Sequence, residues 1–131
     1  MKSSGGRQVS SEETMKIGEV ADRTSLSFRT LRHYEEVGLV SPSARTEGGF
    51  RLYTENDIAR LLIIRRMKPL GYTLEEMRAL LDVVGALTQQ PDDTELRSQL
   101  EGIQQEATER RERLAKHLSM ADDFLAELAH I

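Results

Sequence analysis

The chain has 131 residues, no cysteine and a formal net charge of −4. That length leaves room for one compact domain with an extension, which excludes a large enzyme, and the missing thiol excludes disulfides, thiolate metal sites and thiol redox switches within the chain. The acidic balance argues against a nucleic-acid partner only until its distribution is read: Lys16 to Leu81 holds 11 Lys and Arg against 9 Asp and Glu, whereas Asp82 to Ile131 holds 5 against 11.

Residues 1–14, MKSSGGRQVSSEET, are polar and without apolar period, so this tail is expected to be disordered. It has no signal-peptide core and no later run is long enough to span a membrane, which points to a cytoplasmic protein with no membrane partner. Ordered structure is expected from Met15. Ile17, Val20 and Ala21 share one helical face, Ser25-Leu26-Ser27 makes a turn with an N-cap, and a second short helix follows. In that second helix Leu31, Tyr34 and Val37 point inward while Arg29, Thr30, Arg32 and His33 lie on or near the outer face, and Gly38 supplies the stop. Two short helices around so brief a turn read as a helix-turn-helix.

From Val40 to Tyr53 the pattern changes. Ser41-Pro42 breaks the helix, Glu47-Gly48-Gly49 turns tightly, and Phe50 and Leu52 alternate with Arg51 and Tyr53, which predicts a small β-hairpin. Thr54 with Asp57 is a capping box for a third helix bearing Ile58, Leu61 and Leu62, and Pro69 should end or kink it before Gly71. Thr73 with Glu76 opens a fourth helix with Leu74, Met77, Leu80, Leu81 and Val84 inward. The expected domains are a head over residues 15–84, a linker over 85–93 containing Pro91, and a dimerisation helix over 94–131.

That last helix carries a heptad seam of Leu96, Leu100, Ile103, Ala107, Arg110, Leu114, His117, Ala121, Phe124, Leu128 and Ile131, widened by Leu118 and Leu125. At 1.5 Å per residue it extends roughly 50 Å, too far to bury its stripe on a small head. A second copy of the chain is the simplest partner. Arg110 and His117 are polar seam positions that help to fix register.

The second helix carries the chemistry. Arginine is the side chain best matched to guanine edges, and Arg29 and Arg32, three apart, project from one face. Ser27 and Thr30 at the helix start can bond phosphate with help from the helix dipole. His33 and Tyr34 can add phosphate contacts from their polar tips. Arg45 and Arg51 flank the hairpin tip, where Phe50 and Tyr53 brace the hairpin or pack on sugar. Each has a plainer reading: Arg32 as a solvated partner of Glu35 or Glu36, Tyr34 as a core ring with a surface hydroxyl, and Phe50 as packing. His117 and His130 with Asp122, Asp123 and Glu127 offer no histidine pair at helical ligand spacing, so no metal and no cofactor is expected. No nucleophile and base pair and no Gly-rich phosphate loop suggests catalysis.

The ordered string of Lys16-Ile17-Gly18-Glu19-Val20-Ala21, Arg29-Thr30-Leu31-Arg32-His33-Tyr34-Glu35, Gly38-Leu39-Val40, Arg45, Phe50-Arg51-Leu52-Tyr53, Asp57-Ile58 and Leu70-Gly71-Tyr72-Thr73-Leu74-Glu75-Glu76-Met77 resembles the MerR family of regulators over about Met15 to Leu81. The chain departs from the family pattern at His33, where tyrosine is common, and at Pro69. The resemblance implies a mainly α fold: a winged helix-turn-helix head with a small β-hairpin wing that grips the DNA backbone, followed by a long coiled-coil helix pairing antiparallel in a homodimer. It further implies an inverted-repeat promoter operator, activation through DNA distortion with RNA polymerase as partner, and a small-molecule effector, with no separate effector domain after the seam. A simple repressor or architectural DNA-binding protein is the alternative within that class, and a coiled-coil protein adaptor the alternative outside it.

Overall fold

The computed structural model describes residues 14–42 and 44–131. The expected disordered tail therefore lies, apart from Thr14, outside the described residues. The chain divides into two compact units, the first ending at Pro69 and the second running Leu70–Ile131.

In the first unit, β1 (Met15–Lys16) leads into α1 (Ile17–Thr24), followed by α2 (Phe28–Glu36), β2 (Ala44–Arg45), β3 (Arg51–Tyr53) and α3 (Glu55–Met67). The three strands form one antiparallel sheet in the order β1-β3-β2, with Met15 opposite Tyr53, and Arg45 opposite Arg51. The hairpin is thus present, with an edge strand before the first helix that a two-residue segment could not announce by alternation. Ser25 takes a left-handed conformation in the turn between α1 and α2, where its N–H bonds the Ala21 carbonyl. Gly38, at φ 81, ends the α2 segment, and the Leu39 N–H closes back on the Tyr34 carbonyl at 2.9 Å. Val20, Leu31, Leu39, Val40, Tyr53, Ile58, Leu61 and Ile64 make the core of this unit. The expected capping box starts α3: the Thr54 hydroxyl accepts from the Asp57 N–H and the Asp57 carboxylate from the Thr54 N–H. α3 stops at Met67 and passes into a 3-10 turn over Lys68–Leu70 that contains Pro69.

The second unit is a helical hairpin of α4 (Leu74–Gln89) and α5 (Thr94–Ala129). Its capping box, Thr73 with Glu76, is also formed. The linker expected over 85–93 is shorter than its sequence suggests. α4 continues through Gly85 to Gln89, leaving only residues 90–93 between the helices. A glycine costs a helix about 1 kcal/mol relative to alanine, and here Val83, Val84, Ala86 and Leu87 continue a half-buried stripe across it. The Asp93 carboxylate then caps α5 by accepting from the Leu96 N–H at 2.9 Å.

α5 has two unlike halves. Leu96, Leu100, Ile103, Ala107 and Arg110 are half-buried, whereas every residue from Arg111 to Ile131 is exposed. Arg110 marks the change. Its guanidinium lies 3.9 Å from the centroid of the Tyr72 ring, pairs with Glu76 at 3.0 Å and Glu106 at 3.4 Å, and donates to the Leu70 carbonyl. α5 therefore runs back beside α4 as far as the start of α4, and continues beyond it. Arg110, expected as a polar seam position, is held inside its own chain. No described helix is long and apolar enough to cross a membrane.

Candidate nucleic-acid interface

Ser27 caps α2, its hydroxyl accepting from the Thr30 N–H at 3.1 Å and donating to the Thr30 hydroxyl at 2.9 Å. The cap leaves the first turn of α2 open to solvent with its positive dipole end available. Along the next turns Leu31 and Tyr34 turn into the core, and Arg29, Arg32 and His33 stay exposed. Together with Thr30 and Glu36 these three line a shallow depression on the outer face of α2. Neither Arg29 nor Arg32 has an ion-pair partner among the described residues, so the reading of Arg32 as a partner of Glu35 or Glu36 is not what the structure adopts. Phe28, half exposed in the first turn, adds an apolar side chain beside Arg29 that the sequence pattern did not single out.

The two tyrosines are placed differently from the expected DNA contacts. Tyr34 is 4% exposed and Tyr53 2%. Both are core rings, and burial raises the pKa of each phenol. The Tyr53 hydroxyl has no hydrogen-bond partner among the described residues. Tyr34 follows from helical period: it lies three residues after Leu31 on the inward stripe. Phe50 is opposite in outcome. Expected to pack, it is 68% exposed at the wing tip, where Gly49 at φ 85 closes the turn and the Phe50 N–H bonds the Thr46 hydroxyl.

The wing arginines share one anion. Arg45 Nη2 lies 3.3 Å from Glu35 Oε2, and Arg51 Nε is in contact with Glu35 Oε1. Arg45 also donates to the Gly49 carbonyl at 3.3 Å, holding the tip. A cleft of about 220 Å³ beside this group is lined by Lys16, Ile17, Arg32, Gly49, Phe50 and Arg51. Cationic side chains of α2 and of the hairpin thus border one recess. Arg65, Arg66 and Lys68 form a second exposed cationic run at the end of α3, with no ion pair among the described residues. Its signal in the sequence is three cations in four residues, on a helix whose apolar period marks only the inward face.

Among the described residues no group of three His, Asp or Glu gathers as a metal site. The dimerisation positions divide between the halves of α5: Leu96, Leu100, Ile103 and Ala107 on the half-buried stretch, and Leu114, His117, Leu118, Ala121, Phe124, Leu125 and Leu128 on the exposed one.

The family model described as "MerR HTH family regulatory protein" matches residues 15–83. The chain belongs to the MerR family. Its members are regulators of transcription and not enzymes. The mercuric resistance operon regulatory protein of Bacillus cereus is 45% identical over 69 residues, 53% of this chain and 52% of that protein. The HTH-type transcriptional regulator ZntR of Escherichia coli (strain K12) is 46% identical over 68 residues, 52% of this chain and 48% of that protein. The matched stretch is thus about half the length of these relatives. A solved MerR family regulator from Bacillus cereus is 34% identical and covers 85% of this chain and 79% of its own, with a TM-score of 0.55.

Proposed function

We propose that this MerR-family chain binds an inverted-repeat operator in promoter DNA as a homodimer and activates transcription by distorting that DNA for RNA polymerase. The observation that carries the reading is the outer face of α2, where Arg29 and Arg32 stand exposed, without an ion-pair partner among the described residues, beside a capped helix N-terminus. A helix presenting two free arginines from its first turns has the geometry to enter a major groove, with arginine paired to guanine. Ser27, Thr30 and His33 then meet phosphates, and Arg45 and Arg51 of the wing meet the flanking backbone. The exposed half of α5 supplies the dimer, paired antiparallel with its copy, because Leu114, Leu118, Phe124, Leu125 and Leu128 leave an apolar face open to water.

The mechanism follows from the requirement that two recognition helices of a dimer reach successive major grooves. Half-sites must lie about one helical turn, roughly 34 Å, or a multiple of it apart. Where the dimer holds its heads at another spacing, the DNA bends or untwists at a cost on the order of 1–6 kcal/mol for a smooth bend. Backbone contacts from the wings offset that cost. A small-molecule effector acts by shifting which DNA geometry the dimer favours, bound at the dimer interface or between head and coil.

The test is a gel shift with the region upstream of the chain's own gene, followed by the bend angle of the complex with and without cell extract as effector source. A shifted inverted repeat with bent DNA is expected. Straight DNA under both conditions would leave repression by occupancy in place of activation by distortion.

A further inference from the structure

Glu35 sits on the helix that would enter the groove and forms ion pairs with two arginines of the wing that would grip the backbone. Its carboxylate is only 15% exposed, so the attraction to Arg45 and Arg51 is less screened than at an open surface. Arg29 and Arg32, one to two turns earlier on the same helix, have no such anion among the described residues. The asymmetry is chemical as well as spatial. A phosphate approaching α2 meets free guanidinium groups, whereas a phosphate approaching the wing must displace a carboxylate already in place.

Resting on the DNA-binding reading above, we propose that Glu35 is a positioning residue that acts as an internal counter-ion for the wing, exchanged for DNA phosphate when the recognition helix is seated on its operator. On arbitrary DNA the helix has no base contacts to hold it, and Arg45 and Arg51 stay paired with Glu35. The wing then shows DNA one net positive charge in place of two. On the operator, base contacts fix the helix, bring the backbone to the wing, and let phosphate compete for both guanidinium groups at close range. Glu35 thereby holds down binding to arbitrary sequence and sets the wing angle at the same time. The carboxylate raises specificity by weakening the wrong complex, as a repulsive or withheld contact does.

The experiment compares the full chain with Glu35→Gln on a random-sequence duplex and on the promoter fragment that the wild type shifts, at 50 to 200 mM salt. Glutamine keeps the shape and removes the charge. Random-duplex affinity should rise at low salt, and its salt slope should steepen by about one counterion, an additional three- to fourfold loss across that salt range. The operator-to-random ratio should fall. In an Arg45→Gln/Arg51→Gln background the same substitution should change the random-duplex slope by far less. A carboxylate that only braces the fold predicts lower operator affinity with the random-duplex slope unchanged, and that result overturns the proposal. Should Glu35→Gln not fold, Glu35→Asp, which keeps the charge but shortens its reach, must steepen the random-duplex slope in the same direction; an unchanged slope there overturns the proposal too. A wild type with no preference for any upstream fragment defeats the DNA-binding reading itself, a different outcome from a preference that Glu35→Gln leaves intact.

Discussion

The first unit and the outer half of α5 dispose of their large apolar side chains in opposite ways. Among the described residues up to Pro69 these side chains are buried or, as with Ile17, Leu26, Val37, Leu52, Leu62 and Ile63, half-buried, and those that stand exposed are Phe28 on α2 and Phe50 on the wing. From Leu114 onward Leu118, Met120, Phe124, Leu125 and Leu128 all stand open to water. A unit that keeps its large apolar side chains mostly buried or half-buried and offers exposed cations suits a polar, anionic partner. An open apolar stripe is complete only when another apolar surface covers it, and its length and heptad spacing match a copy of itself.

The largest effect expected is therefore on assembly. A charge at Leu118 or Leu125 should dissociate the dimer, since covering an unpaired charge costs several kcal/mol, and the dissociated chain should keep its helical content. The same change at Leu100, on the half of α5 that lies beside α4, should instead loosen the helical hairpin within one chain. Sedimentation and circular dichroism on the two variants separate these outcomes. A wild-type chain that sediments as a stable monomer at micromolar concentration would erase the contrast.

Next in size is the free arginine of the closed unit. Arg29→Ala should weaken operator binding by about 1–3 kcal/mol while leaving random DNA nearly untouched, the mark of a base contact. Arg29 has no ion-pair partner among the described residues, so thermal stability should not move. Equal losses on both DNAs would make Arg29 a phosphate contact and shift specificity to Arg32 or Phe28.

How much of this was legible without coordinates depends on the range of the signal. Caps and turns are local, and Thr54 with Asp57, Thr73 with Glu76, Ser27, Gly38 and Pro69 all act where they were expected. At Gly85 a local helix breaker is outweighed by the stripe continuing on both sides of it, so the helix runs on to Gln89. Phe50 and Tyr53, given the same role in the sequence reading, part company: Tyr53 is buried on β3, where it pairs with Met15 of β1, and Phe50 stands exposed before that strand, a long-range pairing that the order of residues in the hairpin does not reveal. The pairing of Glu35 with Arg45 and Arg51 spans 10 to 16 positions and has no periodic signature at all. The division of α5 was likewise hidden, because an apolar heptad looks the same whether its partner is another chain or the preceding helix.

A cap in the closed unit gives the third effect. Thr54→Ala removes the hydroxyl that accepts from Asp57 N–H at the start of α3, and should lower thermal stability by about 1 kcal/mol. DNA affinity of the folded fraction should hold. An unchanged melting temperature would mean that core packing alone fixes where α3 begins.

The smallest effect tests the exception in the closed unit. Phe50 is 68% exposed, so the fold gains little from its ring, and Phe50→Ala should leave the melting temperature within error. On DNA the ring can cover sugar at the wing tip, and the apolar area removed from water there is a fraction of a side chain, worth less than about 1 kcal/mol at about 25 cal/mol per Å². Because sugar carries no sequence, operator and random duplex should weaken together, and because the ring carries no charge, the salt slope should stay the same. That combination of a small uniform loss with an unchanged slope distinguishes Phe50 from both Arg29 and the wing arginines. A fall in melting temperature instead would show that the ring packs on the protein in solution, and an affinity unchanged on both duplexes would leave the wing gripping DNA through its arginines alone.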